Sequence, residues 1–224
     1  MAGLHWMVVI LAVFLSAENS LSIDPDRLSG YVRGIKGQYG VQGMFSVAVR
    51  IPENQNQNQN AILRQVYSSD PGTNVKNTMN NNQVYAGSRV VAAKVLKQPN
   101  RGTDHAESRV VDNLNYLFSN DGWNDLLLFY VYSSPCVEKC SSDTHRESIL
   151  RRINVINRWN NRAVVFSTIF KPRVGPGNTD DERRAALLRL GAVVGLGNIF
   201  RCDGNQCTSC SVSGQVAHYC VSDE

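Results

Sequence analysis

Two hydrophobic periods take turns along this chain, and their order predicts most of its elements. Leu28, Tyr31, Val32 and Ile35 recur at three-to-four spacing behind Pro25, so residues 24–40 read as a helix capped by Asp24 or Asp26. Residues 44–51 (MFSVAVRI) are β-rich and stop at Pro52, as a strand does. The Asn/Gln tract 54–60 reads as a loop, residues 61–67 as a short strand, and residues 68–83 as a second polar loop. A strand over 89–96 (RVVAAKVL) runs into a turn-rich link, 98–104. From His105 the period becomes helical: Ala106, Val110, Val111, Leu114, Leu117 and Phe118 share a face, with Asp104 as the expected N-cap and residues 120–122 (NDG) as the stop.

Residues 126–132 (LLLFYVY) are apolar without a break, the mark of a strand buried on both faces, and Pro135 ends them. Helix is expected again around Cys136 and over 146–159, where Ile149, Leu150, Ile153 and Ile156 form a stripe. A buried strand over 163–170, a loop over 174–178, a helix over 179–193 with an acidic first turn, and a last strand near 198–201 complete the series. Strands and helices that alternate after residue 88 predict an α/β fold with a mixed sheet between helices. The chain shows no internal repeat.

Composition narrows the setting. The chain has 224 residues, enough for one domain with a sizeable core, and 8 % aromatics, too few for an extended base-stacking platform. The apolar run 6–17 has the length of a signal-peptide core and is too short to span a bilayer. Small residues at 20–22 place cleavage after Ser22, with Ala17 as the second choice, although no Lys or Arg precedes the run. Removal of residues 1–22 would take away Glu18, leaving 23 basic against 18 acidic residues and a net charge of +5. That mild basicity permits a polyanionic partner without requiring one. There is no Asn-x-Ser/Thr sequon.

All six cysteines lie in the C-terminal half, and their spacing divides them into 136/140 and 202/207/210/220. In His105-Ala-Glu107 at a helix start, one side chain can bind a metal while the other, on a different face, reaches past it. In Pro135-Cys136-Val-Glu-Lys-Cys140 the two sulfurs are one helical turn apart, and a helix N-terminus favours thiolate. One imidazole and two thiolates leave a tetrahedral position open, as catalytic zinc sites do. Zinc makes a bound water acidic enough to supply hydroxide near neutral pH, and a carboxylate that is not a ligand can move the protons. Glu107 is the candidate for that work. The signature of the zinc deaminases of nucleobases is H-x-E followed by P-C-x-x-C, from which this chain departs by one extra residue between the cysteines.

On these residues the sequence resembles the AID/APOBEC-like branch of the zinc-dependent cytidine deaminase superfamily, whose members tolerate two to four residues between the cysteines. Ser133-Ser134-Pro135-Cys136 matches that branch's Ser-x-Ser-Pro-Cys run in part, since Tyr132 and Ser133 stand where Ser and Trp would. Secreted members carry a signal peptide and four extra C-terminal cysteines, and this chain is similar to them. The resemblance implies a three-layer fold with a five-stranded mixed sheet, helices on both faces and a disulfide-linked C-terminal extension. The expected divisions are a signal peptide (1–22), the deaminase-like domain (23–200) and a cysteine-rich extension (201–224). It also implies Zn²⁺ on His105, Cys136 and Cys140, with Glu107 catalytic. Substrate contacts fall to Asn100, Ser134, Phe170, Lys171 and Arg173, the last two as phosphate contacts. The implied reaction is hydrolytic deamination of cytosine in single-stranded DNA or RNA outside the cell, with a role in defence. A free-nucleoside deaminase and a catalytically silent secreted binding module on the same scaffold are the alternatives.

Each assignment has a plainer reading. Cys136 and Cys140 could enter disulfides, Glu107 could be a solvated helix carboxylate, and Asn100 a turn residue after Pro99. Cys202, Cys207, Cys210 and Cys220 are expected in two disulfides with three possible pairings, rather than in a second zinc site with His218. Arg146, Arg151 and Arg152 read as a wetted helix face, and His145 as a surface residue.

Overall fold

A computed structural model describes residues 23–53, 57–99, 102–118, 124–172, 175–204 and 206–222. The expected signal segment 1–22, Asn100, Arg173 and residues 120–122 lie outside the described residues.

Helix α1 (Pro25–Tyr39) is capped by the Asp24 carboxylate and buries Leu28, Tyr31, Val32 and Ile35, the predicted stripe. Strand β1 (Phe45–Ile51) follows and is buried throughout. Two helices then replace an expected strand and loop: α2 (Gln59–Ser69) and α3 (Gly72–Asn80). Ile62, Leu63 and Val66 share the buried side of α2, and Asn58 caps it through a hydrogen bond from the Ala61 N–H. The polar tract thus supplies a helix start rather than only a loop. Helix α3 buries Val75 and Met79, one turn apart, and owes its existence to packing more than to propensity.

A seven-stranded mixed sheet forms the middle layer, in the order β2 (Tyr85–Ala86), β3 (Val90–Lys94), β1, β6 (Leu126–Ser133), β7 (Asn161–Thr168), β8 (Ile199–Asp203) and β9 (Gln206–Ser209). Five strands were expected. The short β2 extends one edge, and β9 folds back antiparallel on β8, with the Cys202–Cys207 disulfide joining the pair. The first tail cysteine therefore sits inside the sheet. Strands β6, β7 and β8 run parallel to one another, whereas β1 is antiparallel to β6.

Alternate residues of β6 feed two cores, as a central strand must. Leu127, Phe129 and Val131 face the side that carries α4 (Ala106–Val111) and α5 (Asp180–Val194); Leu126, Leu128 and Tyr130 face α1, α2 and α3. Thr179 and Glu182 form a reciprocal capping box at the start of α5. The predicted helix over 105–118 is shorter: α4 ends at Val111 and a 3₁₀ turn, Leu114–Leu117, follows. His105, not Asp104, takes the N-cap position. No α-helix forms around Cys136 or over 146–159. Residues 137–141 make a hydrogen-bonded turn, and a 3₁₀ helix, Ile153–Arg158, buries Ile153 and Ile156. Among the described residues no helix is long and apolar enough to cross a membrane.

A candidate metal centre at the ends of the parallel strands

The loops that leave the C-terminal ends of β6 and β7 meet the start of α4. In open α/β sheets this is where a ligand crevice forms. His105 opens α4, Cys136 and Cys140 lie in the turn after β6, and Phe170 follows β7. Nδ1 of His105 is 3.1 Å from Cys140 Sγ and 3.6 Å from Cys136 Sγ. The three donor atoms lie within 4.8 Å of one another. A tetrahedral zinc with ordinary bond lengths would separate nitrogen from sulfur by roughly 3.6 Å and the two sulfurs by roughly 3.8 Å, so this donor set has the right size and chemistry to hold zinc. Cys136 and Cys140 are buried and free of any disulfide.

Glu107 is 6 % exposed and aims its carboxylate at the same cluster. Its Oε1 lies 2.8 Å from Cys140 Sγ, which donates to it, and 3.5 Å from His105 Nδ1. A thiolate and a carboxylate this close cannot both be charged unless a proton or a cation lies between them.

The four side chains set one another's protonation. Burial works against the His105 cation, but Cys136 and then Glu107 outweigh it and push its pKa up to about 10. The Cys140 thiol, working against burial and helped by His105, brings Cys136 down to about 5. Cys140 is pushed well up by burial and by its Cys136 neighbour. Burial would raise Glu107, yet hydrogen bonds with His105 and Cys140 hold it below the usual carboxylate range.

The ligand turn is firmly held. Cys140 N–H donates to Cys136 Sγ, the buried Ser141 hydroxyl donates to the Cys136 carbonyl, and Arg189 of α5 donates to the Ser141 carbonyl. This turn stands in place of the expected helix, and Val137, Glu138 and Lys139 all line a cavity of about 430 Å³ beside His105 and Cys136. Such a volume suits a small organic group. Its other walls are Met44, Val95, the segment Phe170–Pro172, Asn178, and the inner face of a separate hairpin, β4 (Leu96–Gln98) and β5 (Gly102–Asp104). Lys97 and Thr103 pair across that hairpin and both face the cavity. The link over 98–104 is thus half of a hairpin.

Phe170 and Lys171, singled out from sequence, line the cavity, and the Phe170 ring centre is 6.4 Å from that of His105. Ser134 lies just behind: its hydroxyl accepts from the Phe170 N–H, so it shapes the turn after β7. Lys97, Thr103, Lys139 and Asn178 had not been singled out.

A family model described as Secreted Novel AID/APOBEC-like Deaminase 1 matches residues 25–224. The chain belongs to this family. No curated protein and no solved structure matches it. Membership in a secreted AID/APOBEC-like deaminase family supports a deaminase-type function for the chain, and the cluster of His105, Cys136 and Cys140 could hold a metal ion. The tail is settled by its pairing. Cys202 joins Cys207 and Cys210 joins Cys220, which leaves no thiol there for a second zinc site.

Proposed function

We propose that this protein is a secreted zinc-dependent hydrolase that removes the exocyclic amine of cytosine in single-stranded DNA or RNA. His105, Cys136 and Cys140 are its zinc ligands and Glu107 its proton carrier. The observation that carries the reading is the convergence of Nδ1, two sulfurs and one buried carboxylate beside a cavity of nucleobase size. Zinc in such a set supplies Lewis acidity that makes hydroxide available near neutral pH. Glu107 Oε1 takes the proton of the attacking water and passes it to the departing nitrogen. Water adds at the carbon that bears the amine, the carbon–nitrogen bond breaks, ammonia leaves and a carbonyl remains. Phe170 offers the base an apolar ring face, while Thr103 and Asn178 offer hydrogen bonds.

Among the described residues, three ammonium groups from three segments, Lys97, Lys139 and Lys171, stand around the cavity, with Glu138 as the one acidic group in its wall. That excess favours a substrate carrying several phosphates over a bare nucleoside, and an unstacked base over one held in a duplex. Cleavage after Ser22 would release a mature chain that works outside the cell, where foreign or shed nucleic acid makes defence a fitting role. Deamination of a cytosine-containing oligonucleotide and of cytidine, each measured over a salt series, tests the substrate. Activity on the oligonucleotide should fall with salt, with a log–log slope reduced by about 0.7 for each of Lys97→Ala, Lys139→Ala and Lys171→Ala. Salt-independent turnover with cytidine as the better substrate would replace this reading by the nucleoside deaminase.

A further inference from the structure

The two elements that carry the site are short. Helix α4 has six residues, and residues 142–152 that follow the cysteine turn are turns and bends. A six-residue helix is marginal by itself, so its neighbours must fix where it lies. One side chain joins the two elements. Arg152 Nη2 donates to Ser108 Oγ at 2.8 Å, and Nη1 to the Ser108 carbonyl at 3.5 Å. The same guanidinium donates to the Ser148 carbonyl from Nε at 3.2 Å and from Nη2 at 3.0 Å, and to the Glu147 carbonyl at 3.4 Å. It also pairs with Asp112 at the end of α4.

Both ends of this bridge stand next to the metal cluster. Ser108 follows Glu107 directly and is buried. On the other side, Ile149 N–H donates to the Cys140 carbonyl at 2.9 Å, one residue on from Ser148. Glu107 and Cys140 are therefore connected through Ser108, one guanidinium, Ser148 and Ile149. A planar fork of five donors can serve both sides at once; a lysine ammonium cannot. At the opposite end of the triplet, Arg146 spans Asp104 at 3.8 Å and Glu147 at 3.5 Å, but it is 61 % exposed and so a weaker tie.

We propose that Arg152 is a positioning residue of the metal centre, clamping the helix that bears Glu107 to the turn that bears Cys140. The proposal rests on the zinc-site reading above. A merely structural arginine would change stability and leave the site of every folded molecule as it was. A clamp changes the site itself.

Cobalt(II) is the probe, because its thiolate charge-transfer and d–d bands report the geometry of its ligands. The full-length protein, stripped of metal under anaerobic conditions with its disulfides intact, is titrated with cobalt. Wild type should bind one ion with a thiolate charge-transfer band. Arg152→Lys should bind cobalt about 10- to 100-fold more weakly, with displaced d–d bands. Ser108→Ala should move in the same direction to a smaller extent. Arg151→Gln, which alters an exposed neighbour bonded only to the Asp143 carbonyl among the described contacts, should match wild type. Folded Arg152→Lys with wild-type affinity and spectrum overturns the clamp; if that variant does not fold, wild-type behaviour of Ser108→Ala overturns it instead. A wild-type protein that binds no cobalt through thiolate would instead fail the zinc reading beneath it.

Discussion

His105 and Cys140 hold protons at neutral pH that a zinc ion bound as proposed would displace. His105 is pushed up to about 10 by Cys136 and Glu107 against the pull of burial, and Cys140 is raised by burial. Cys136, brought down to about 5, is already a thiolate at pH 7, and Glu107 is already a carboxylate. Two of the four groups therefore lose a proton when a cation enters, so zinc binding at pH 7 should release about two protons per ion. The sign follows: protons compete with the metal, so affinity rises with pH from about 5 to about 10 and weakens more steeply below 5, where Cys136 also binds a proton. Calorimetry of zinc binding in buffers of different ionisation enthalpy measures the count. Release of no protons would mean that these side chains do not set one another's charge as described.

At the scale of elements, the tail is an integral part of the fold. Cys210 and Cys220 are buried in the same core as Leu187 and Leu190 of α5, and their disulfide closes an eleven-residue loop. Arg201, inside β8, donates to the carbonyls of Tyr219 and Ser222 and stacks on the Tyr219 ring, which ties the chain end to the sheet. Cys210→Ser with Cys220→Ser should lower unfolding stability by about 3 kcal/mol through loop entropy, read as a lower denaturant midpoint. An unchanged midpoint would show that the tail folds without its staple. The sequence revealed some elements and hid others, for physical reasons. The strands over 44–51, 126–132 and 163–170, and the Val90–Lys94 part of the one expected over 89–96, were legible because strands buried on both faces are rich in apolar and β-branched residues, 126–132 without a break. Helix α2 was not, because Ile62, Val66 and Tyr67 are strand-prone residues placed at helical positions, and tertiary burial decides between the two. The stripe Ile149, Leu150, Ile153 and Ile156 is buried as expected, but on turns and a 3₁₀ helix. Arg152, read as a wetted face, spends its guanidinium on five protein acceptors. Its role depends on contacts 44 residues apart that no local pattern encodes.

Taken as a whole, the molecule is a sheet with a core on each face, and the candidate site lies where its parallel strands end. His105, Glu107, Cys136 and Cys140 were singled out by their match to a known signature, and the fold brings the four side chains together. The walls of the cavity were not, because they come from segments that only the fold brings together: the β4–β5 hairpin, the cysteine turn and the loop after β7. Under the proposed function, this site removes an amine by hydrolysis with Glu107 as its proton carrier. Ammonia release from a cytosine-containing single-stranded oligonucleotide, with zinc content measured on the same samples, tests it most directly. Zinc-loaded wild type should release ammonia, and Glu107→Ala should keep its zinc while losing activity by at least about a hundredfold. Equal ammonia release by the two zinc-loaded proteins, or none by wild type on oligonucleotide and nucleoside alike, would contradict this function.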